Sequence, residues 1–314
     1  MANPKSEIAR QSYIDEEPFK GIKIDDNSIL DSLQGRHPCP KCGKSRKFYC
    51  YSCYVPIAEL EGKLPSVKLP IKIDIIKHKH EIDGKSTAGH AAILASRDVS
   101  IYTYPDIPDY TNQPVVLIFP SQNAISISQL VSGSQKQVLE YQNAPLDEVP
   151  QGFNRSTLMK KIPKTREDYK FQGRSQELPF TKAVFIDSTW NQSKGIYKDN
   201  RVNNIPCVVI QNRISQFWRH QKGSPRWYLA TIEAIHQFLI EVHLHRWGLN
   251  PAYKGINNCF TESCLSQFEL LYSSDSDAYD GQYDNLLYFF QHMYDLIHKY
   301  YEHGELYAYK RRLK

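Results

Sequence analysis

The sequence predicts an α/β protein built on a mainly parallel β-sheet that helices cover on both faces, with a cysteine-rich module near the N-terminus. Three observations favour this fold class. Short, almost uninterrupted apolar runs recur along the chain, helix-like stretches separate them, and four of the seven cysteines lie within fifteen residues. Strands that are buried on both faces have such apolar sequences, because alternating strands and helices place helices on each side of the sheet.

Length and composition limit the class of protein. A chain of 314 residues, 41% of them hydrophobic, can bury the core of one large or two modest domains. The first residues, MANPKSEIAR, lack the apolar stretch of a signal peptide. The longest apolar runs, such as residues 115–119, are much shorter than the roughly 20 residues that span a bilayer. We therefore expect no membrane partner, and a reducing compartment in which cysteines stay reduced.

The first 56 residues contain a candidate metal site. Residues 1–35 are polar and show no sustained hydrophobic period, which predicts a flexible N-terminal arm. Residues 36–56 contain two C-x2-C pairs, formed by Cys39, Cys42, Cys50 and Cys53. Two tight turns that each present two thiolates predict a zinc knuckle, and its closed set of four ligands indicates a structural ion. A redox pair or unmetallated thiols are the alternatives.

Residues 57–314 are expected to form the α/β domain. Apolar runs between turn signals predict strands at residues 71–76, 99–104, 115–120, 183–187 and 207–210. Helix-like segments are expected at residues 88–97, 124–131, 227–246 and 284–302. The last two keep the three-to-four spacing of a buried stripe. Gly304 is the expected C-terminal cap of the last helix.

Positive charge is clustered along the chain. Residues 36–54 carry five cations and no carboxylate, and a long basic loop is expected near residues 132–182. A third group is Arg213, Arg219, Lys222 and Arg226. Such clusters suit contacts to nucleic-acid phosphates. The candidate RNA-binding residues are Lys44, Arg46, Lys47, Arg213 and Lys222, and solvated surface faces are the alternative.

Polar side chains follow the apolar strand at residues 183–187. Asp187, Ser188, Thr189 and Trp190 stand at its end, where open α/β sheets bind ligands. The alternative is that Ser188 or Thr189 caps the next helix and that Trp190 packs in the core. The segments 80–87, 119–124, 217–221 and 231–234 are also polar and adjoin strand ends or a helix start. Their convergence would form one pocket.

These segments resemble the DTW domain family, named for an Asp-x-Thr-Trp signature that here is Asp187-Ser188-Thr189-Trp190. The Phe217-Trp218-Arg219 and Thr231-x-Glu233-Ala234 segments extend the resemblance, which runs from about residue 36 to 250. It implies that residues 57–314 form a DTW-type domain whose fold is related to the knotted SPOUT methyltransferases. It also implies transfer of the 3-amino-3-carboxypropyl group of S-adenosylmethionine to a tRNA uridine, with a D-loop uridine at position twenty suggested.

In this interpretation the N3 atom of uridine attacks as its proton is removed, and Asp187 is the candidate residue that either acts as the general base or orients the N3 proton. The expected S-adenosylmethionine contacts are Ser86, Thr87, Pro120, Ser121, Trp190, Arg219, Thr231 and Glu233. Arg219 could grip either the carboxylate of S-adenosylmethionine or an RNA phosphate. Trp190 could stack on adenine or on the flipped uridine.

Two other functions remain open from the sequence. One is a SPOUT-like RNA methyltransferase, which would also use S-adenosylmethionine. The other is a non-catalytic zinc-containing RNA-binding adaptor. The basic tail at residues 310–314 favours the nucleus, with the cytoplasm as the alternative. The oligomeric state cannot be read from the sequence.

Overall fold

The computed structural model describes residues 12–132, 178–219 and 225–310. Most of the basic loop expected near residues 132–182, the candidate RNA contact Lys222, and residues 311–314 of the tail lie outside these ranges. The predicted α/β class is confirmed, because a six-stranded parallel sheet has helices packed on both faces.

The sheet contains every strand that the sequence predicts. In the described residues the strands are β1 (His37–Pro38), β2 (Ser45–Arg46), β3 (Tyr49–Cys50), β4 (Val55–Pro56), β5 (Lys72–Lys77), β6 (Val99–Thr103), β7 (Val115–Ile118), β8 (Ile125–Ser126), β9 (Lys182–Asp187) and β10 (Cys207–Val209). The large sheet has the order β6-β5-β9-β7-β10-β8, and all its pairs are parallel. The sequence does not predict β8, because two residues give no periodicity.

Besides a helical segment at residues 12–16, the helices of the described residues are α1 (Ile29–Ser32), α2 (Ala88–Leu94), α3 (Ile127–Ser132), α4 (Trp190–Tyr197), α5 (Asn200–Asn203), α6 (Thr231–Trp247), α7 (Ile256–Cys259), α8 (Glu262–Phe268) and α9 (Tyr288–Tyr300). The four predicted helices correspond to α2, α3, α6 and α9. The expectation that Gly304 caps the last helix is wrong, because α9 ends at Tyr300 and Tyr301 already has extended backbone. No helix of the described residues combines the length and apolarity needed to cross a bilayer.

Side chains of the central strands alternate between two apolar layers, as the pleat of a strand requires. Ile73 and Ile75 of β5 pack in the layer that contains α6 and α9. Ile76 of β5 and Val184 of β9 pack in the opposite layer, with α4 and α5. Twelve of the seventeen residues of α6 are buried and none is exposed, so this helix lies inside the domain.

The N-terminal segment is docked, and the prediction of a flexible arm is wrong for residues 12–35. Ile14 and Leu30 are buried, although no period connects them. The Asp15 carboxylate accepts two hydrogen bonds of 2.8 Å from the Arg226 guanidinium. Sequence periodicity misses such a segment, because single anchors hold it.

The cysteine module is built from two small antiparallel ladders, β1–β2 and β3–β4. It is not a separate body. Phe48 and Tyr49 belong to the same apolar core as the helices, and the Tyr49 ring lies 5.0 Å from that of Phe289 in α9. The module and the α/β domain are therefore one packed unit.

Candidate active site

Asp187 is the last residue of the central strand β9, so the sheet presents it at the carboxyl edge. The residue is only 6% exposed. Two hydroxyls from different elements donate to its carboxylate. Ser86, in the loop after β5, donates to Oδ2 at 2.6 Å, and Thr231, at the start of α6, donates to Oδ1. Three of the predicted site residues therefore meet at one point.

The environment makes Asp187 a stronger base than a surface aspartate. Burial raises the pKa of its carboxyl group above the ordinary value, while the Ser86 and Thr231 hydroxyls and the positive charge of Lys77 oppose this increase. A carboxylate that has lost solvation in this way binds a proton more tightly than a solvated carboxylate does. This is the property that the proposed base role requires.

Two other predicted contacts stabilise the start of α6. The Thr87 hydroxyl accepts a hydrogen bond of 3.1 Å from the Ile232 amide. Glu233 is fully buried, and its carboxylate accepts from the amides of Ala230 and Gln216, each at 2.8 Å. The expectation that Glu233 contacts S-adenosylmethionine is therefore wrong, because its carboxylate closes the helix N-terminus inside the core.

Trp190 lies at the surface, 40% exposed, so the alternative of a core tryptophan is excluded. Its ring lies 4.9 Å from that of Tyr228 and 6.3 Å from that of Phe119. We refer to Phe119, Trp190 and Tyr228 as the aromatic ledge. Aromatic faces at this edge of the sheet can stack on a nucleobase.

The other two signature residues have a local role. Thr189 is the N-cap residue of α4, and its amide donates to the Gln192 side chain at 3.0 Å. The Ser188 hydroxyl donates to the Thr189 carbonyl at 3.2 Å. Thr189 therefore has the helix-capping role that the sequence offers as the alternative, whereas Asp187 accepts hydrogen bonds from Ser86 and Thr231.

The turn at residues 119–121 packs against α4. Phe119 stacks on Tyr197 at 4.5 Å. Ser121 is buried and hydrogen-bonds Tyr197, and Pro120 is partly buried. The structure therefore places this predicted turn beside the aromatic ledge, and no hydrogen bond among the described residues joins it to Asp187.

Residues 78–86, here called the 78–86 loop, link Asp187 to Arg219. The loop begins where the His78 amide donates to the Asp187 carbonyl at 3.1 Å, and it ends at Ser86. Arg219 donates from Nη2 to the Gly84 carbonyl at 3.3 Å. Arg219, from the predicted segment at residues 217–221, therefore contacts the same loop that holds Asp187.

The four cysteines of the module fit a metal ion. Their sulfur atoms all lie within 4.8 Å of one another, and those of Cys42 and Cys50 are 3.7 Å apart. A tetrahedral ion with sulfur bonds of about 2.3 Å separates its ligands by about 3.8 Å. The Arg46 Nε donates to Cys50 Sγ at 3.3 Å, as a positive group beside a metal thiolate would.

The structure corrects several candidate RNA contacts. Arg46 is buried, with its guanidinium 3.8 Å from the Tyr51 ring, and it faces the cysteine sulfur. Arg213 is 2% exposed and bonds His236 at 2.9 Å. Both are therefore enclosed by protein, Arg46 by neighbouring residues of the cysteine module and Arg213 by His236 of α6, and neither presents its charge at the surface. Lys47 is half-buried and donates to the Leu33 carbonyl at 2.6 Å, whereas Lys44 is exposed.

Sequence reasoning also missed residues of this site. Tyr228 has no signal except its position three residues before Thr231. Lys77 is the register partner of Asp187 on β5 and pairs with Asp83 of the loop. The partners of a parallel strand are distant in sequence, so no local pattern identifies them.

The fold and the site define a class: an α/β protein with a candidate ligand site at the carboxyl edge of its parallel sheet and, packed against it, a module of four cysteines that could hold a metal. A family model described as the DTW domain matches residues 47–298. The chain belongs to the DTW domain family.

Curated relatives carry a shared name, "tRNA-uridine aminocarboxypropyltransferase 1". The protein of Xenopus tropicalis is 39% identical over 290 residues, covering 89% of this chain and 86% of the relative. The human protein is 39% identical over 292 residues, with 91% and 86% covered. The mouse protein is 37% identical over 295 residues, with the same coverage. No solved structure matches this chain.

Proposed function

We propose that this chain is a tRNA-uridine aminocarboxypropyltransferase that moves the 3-amino-3-carboxypropyl group of S-adenosylmethionine to N3 of a uridine in tRNA. Membership of the DTW domain family and the name shared by its relatives support the reaction class. The structural observation that carries the proposal is Asp187, a buried carboxylate with a raised pKa at the carboxyl edge of the sheet, between two hydroxyls and near an exposed indole.

The reaction needs a base and no acid. Uridine N3 forms a bond to the γ-carbon of the aminocarboxypropyl chain while the bond from that carbon to sulfur breaks. The bonding electron pair goes to sulfur, so methylthioadenosine leaves as a neutral thioether. The N3 proton passes to the Asp187 carboxylate. The Ser86 and Thr231 hydroxyls hold that carboxylate, and positioned base catalysis contributes roughly 10²- to 10⁴-fold.

Binding geometry decides which carbon is attacked. The sulfonium also carries a methyl group, and near-attack alignment can select one carbon over another. The aromatic ledge offers a stacking surface for adenine or for a uridine that has left its own stack. The regiochemistry then depends on how the aminocarboxypropyl chain lies relative to this ledge and to the 78–86 loop.

The remaining parts of the proposal concern tRNA and zinc. Zinc bound by Cys39, Cys42, Cys50 and Cys53 would stabilise the module and take no part in the reaction, because four thiolates leave no open position. Lys44 and the basic segment near residues 132–182 would contact tRNA phosphates, which makes binding strongly salt-dependent. A D-loop uridine as the target, a SPOUT-like knotted connection and a nuclear location belong to the same proposal.

The test uses the purified full chain with tRNA and S-adenosylmethionine, and mass spectrometry of the product nucleoside. We expect an aminocarboxypropyl group on uridine. Asp187→Asn should reduce the transfer rate more than about 100-fold while the affinity for S-adenosylmethionine changes little. Asp106→Asn, the same change at an exposed aspartate, is the control. Full activity of Asp187→Asn would refute the base role.

The same measurements separate the two rival functions. Addition of a methyl group would indicate an RNA methyltransferase. No binding of S-adenosylmethionine in calorimetry, with tRNA still bound, would indicate a non-catalytic adaptor.

A further inference from the structure

We infer that Glu81 and Arg219 clamp the amino acid end of S-adenosylmethionine, with Arg219 on the α-carboxylate and Glu81 on the α-ammonium group. The inference rests on the proposed function and deepens it. It gives Glu81 a role in substrate recognition, and it resolves the alternative roles of Arg219 in favour of the small substrate.

The 78–86 loop holds Glu81 close to Asp187. The His78 amide is bonded to the Asp187 carbonyl, and the Glu81 amide donates to the His78 carbonyl at 2.9 Å in the following turn. The far end of the loop returns to the Asp187 carboxylate through Ser86. Glu81 therefore lies on a short segment that is fixed to Asp187 at both ends.

Arg219 reaches the same loop from another part of the chain. Its Nη2 donates to the Gly84 carbonyl at 3.3 Å, and its guanidinium lies 6.0 Å from the Phe217 ring. A guanidinium has five N–H donors in a fixed fork, and the Gly84 carbonyl engages one of its nitrogens. Within the described part of the chain Arg219 forms no ion pair, so an incoming carboxylate would meet an uncompensated cation.

Of the two carboxylates of the loop, only Glu81 lacks an ion pair within the described residues, and Arg219 is near enough to act on its charge. Asp83 pairs with Lys77. Glu81 is partly buried and has no ion pair within the described residues. Burial and the negative charge of Asp187 raise the pKa of Glu81, while Lys77, Lys85 and Arg219 lower it. A cationic group bound next to Glu81 would relieve both unfavourable effects.

A zwitterion matches this arrangement better than an RNA phosphate does. A phosphate would satisfy Arg219, but it would also lie near the carboxylates of Glu81 and Asp187, which repel it. The amino acid end of S-adenosylmethionine carries one positive and one negative group on the same carbon. It can therefore meet Glu81 and Arg219 together, and its γ-carbon is the atom that uridine N3 attacks.

The test measures binding of three ligands to Glu81→Gln, Arg219→Gln and the unchanged full-length protein by calorimetry. Methylthioadenosine lacks the whole aminocarboxypropyl chain, and decarboxylated S-adenosylmethionine lacks only the carboxylate. Glu61→Gln, the same change at an exposed carboxylate, is the matched control. Binding of labelled tRNA to each variant is measured in parallel.

We expect Glu81→Gln to weaken S-adenosylmethionine and its decarboxylated form about 10- to 100-fold, the range for a hydrogen bond to a charged group. Arg219→Gln should weaken S-adenosylmethionine to the same extent but leave the decarboxylated form unaffected. Methylthioadenosine should bind all proteins equally, which also reports that the variants are folded.

Three results would overturn the clamp: equal losses for methylthioadenosine and S-adenosylmethionine, unchanged affinity for S-adenosylmethionine in both variants, or a loss confined to tRNA. If the unchanged protein fails to bind S-adenosylmethionine, the proposed function fails, and the clamp fails with it. A failed clamp in a protein that still transfers the group leaves the proposed function intact.

Discussion

The chemistry of Asp187 depends on a balance between solvent exclusion and two hydrogen bonds. Burial alone would keep the carboxyl group protonated to higher pH, whereas the Ser86 and Thr231 hydroxyls stabilise the ionised form. The two donors come from the loop after β5 and from the start of α6. Each donor therefore lowers the pKa of the Asp187 carboxyl group from a separate element.

Removal of either donor should shift the pH dependence of transfer. A base acts only when ionised, so activity is lost as pH falls through the raised pKa of Asp187. Ser86→Ala or Thr231→Val removes an interaction that lowers this pKa, so the acidic limb of kcat/KM should move to higher pH, by roughly one unit. Ser188→Ala, whose hydroxyl bonds its neighbour's carbonyl, is the control and should leave the limb in place. An unchanged limb in both active-site variants would contradict the base assignment.

At the scale of elements, the sequence was informative where apolar periodicity decides the structure. The five long runs became strands, and Asp187 was placed at the sheet edge because it directly follows one of them. Periodicity failed for charged residues whose partners lie elsewhere. Arg226 is buried and pairs with Asp15, which lies 211 residues away in the sequence. Arg46 is buried against the sulfur of Cys50, which an ordinary charge pattern does not indicate. Charge runs in a sequence do not show which cations are paired.

The cysteine module supports the 78–86 loop directly. Ser52 donates to the Asp83 carboxylate at 3.4 Å, and a Cβ placed on Gly84 would lie 3.8 Å from the Tyr51 ring. Both contacts come from the two residues between the candidate metal ligands Cys50 and Cys53. The candidate metal site and the 78–86 loop are therefore in direct contact.

If zinc is bound by the four cysteines as proposed, its removal should weaken S-adenosylmethionine binding through the 78–86 loop. We expect chelation or Cys50→Ser to lower this affinity at least tenfold and to speed amide hydrogen exchange in residues 78–86, because a metal site contributes to the folding of its module. Restored zinc should reverse the effect of chelation. Cys264→Ser, a buried thiol outside the module, is the control. Unaltered amide exchange in residues 78–86 after metal loss would contradict this coupling between the cysteine module and the loop.

The whole molecule buries several histidines in neutral form. His90, His236 and His243 are each less than about one-tenth exposed. Burial lowers the pKa of His90 to about 3 and that of His243 to about 4, and it also lowers the pKa of His236. His236 lies between Arg213 and Asp284 at hydrogen-bond distances of 2.9 and 3.0 Å. A charged ring there would face the Arg213 cation.

Acid should therefore unfold this protein well above the pKa of its carboxylates. In the unfolded chain histidines take up protons near pH 6.5, while the buried rings stay neutral to lower pH. The unfolded state then binds more protons, so stability is fully present above about pH 6.5 and falls as pH decreases toward 4. Each such histidine adds up to about 1.4 kcal/mol per pH unit to the slope.

Urea unfolding at several pH values measures this slope. His90→Leu should reduce it, and His80→Gln, with an exposed ring, should not. Protonation of the cysteine thiolates contributes equally to the two variants, so the difference between their slopes reports on His90 alone. Equal slopes for the two variants would show that the His90 ring takes up a proton in the folded state as readily as in the unfolded chain.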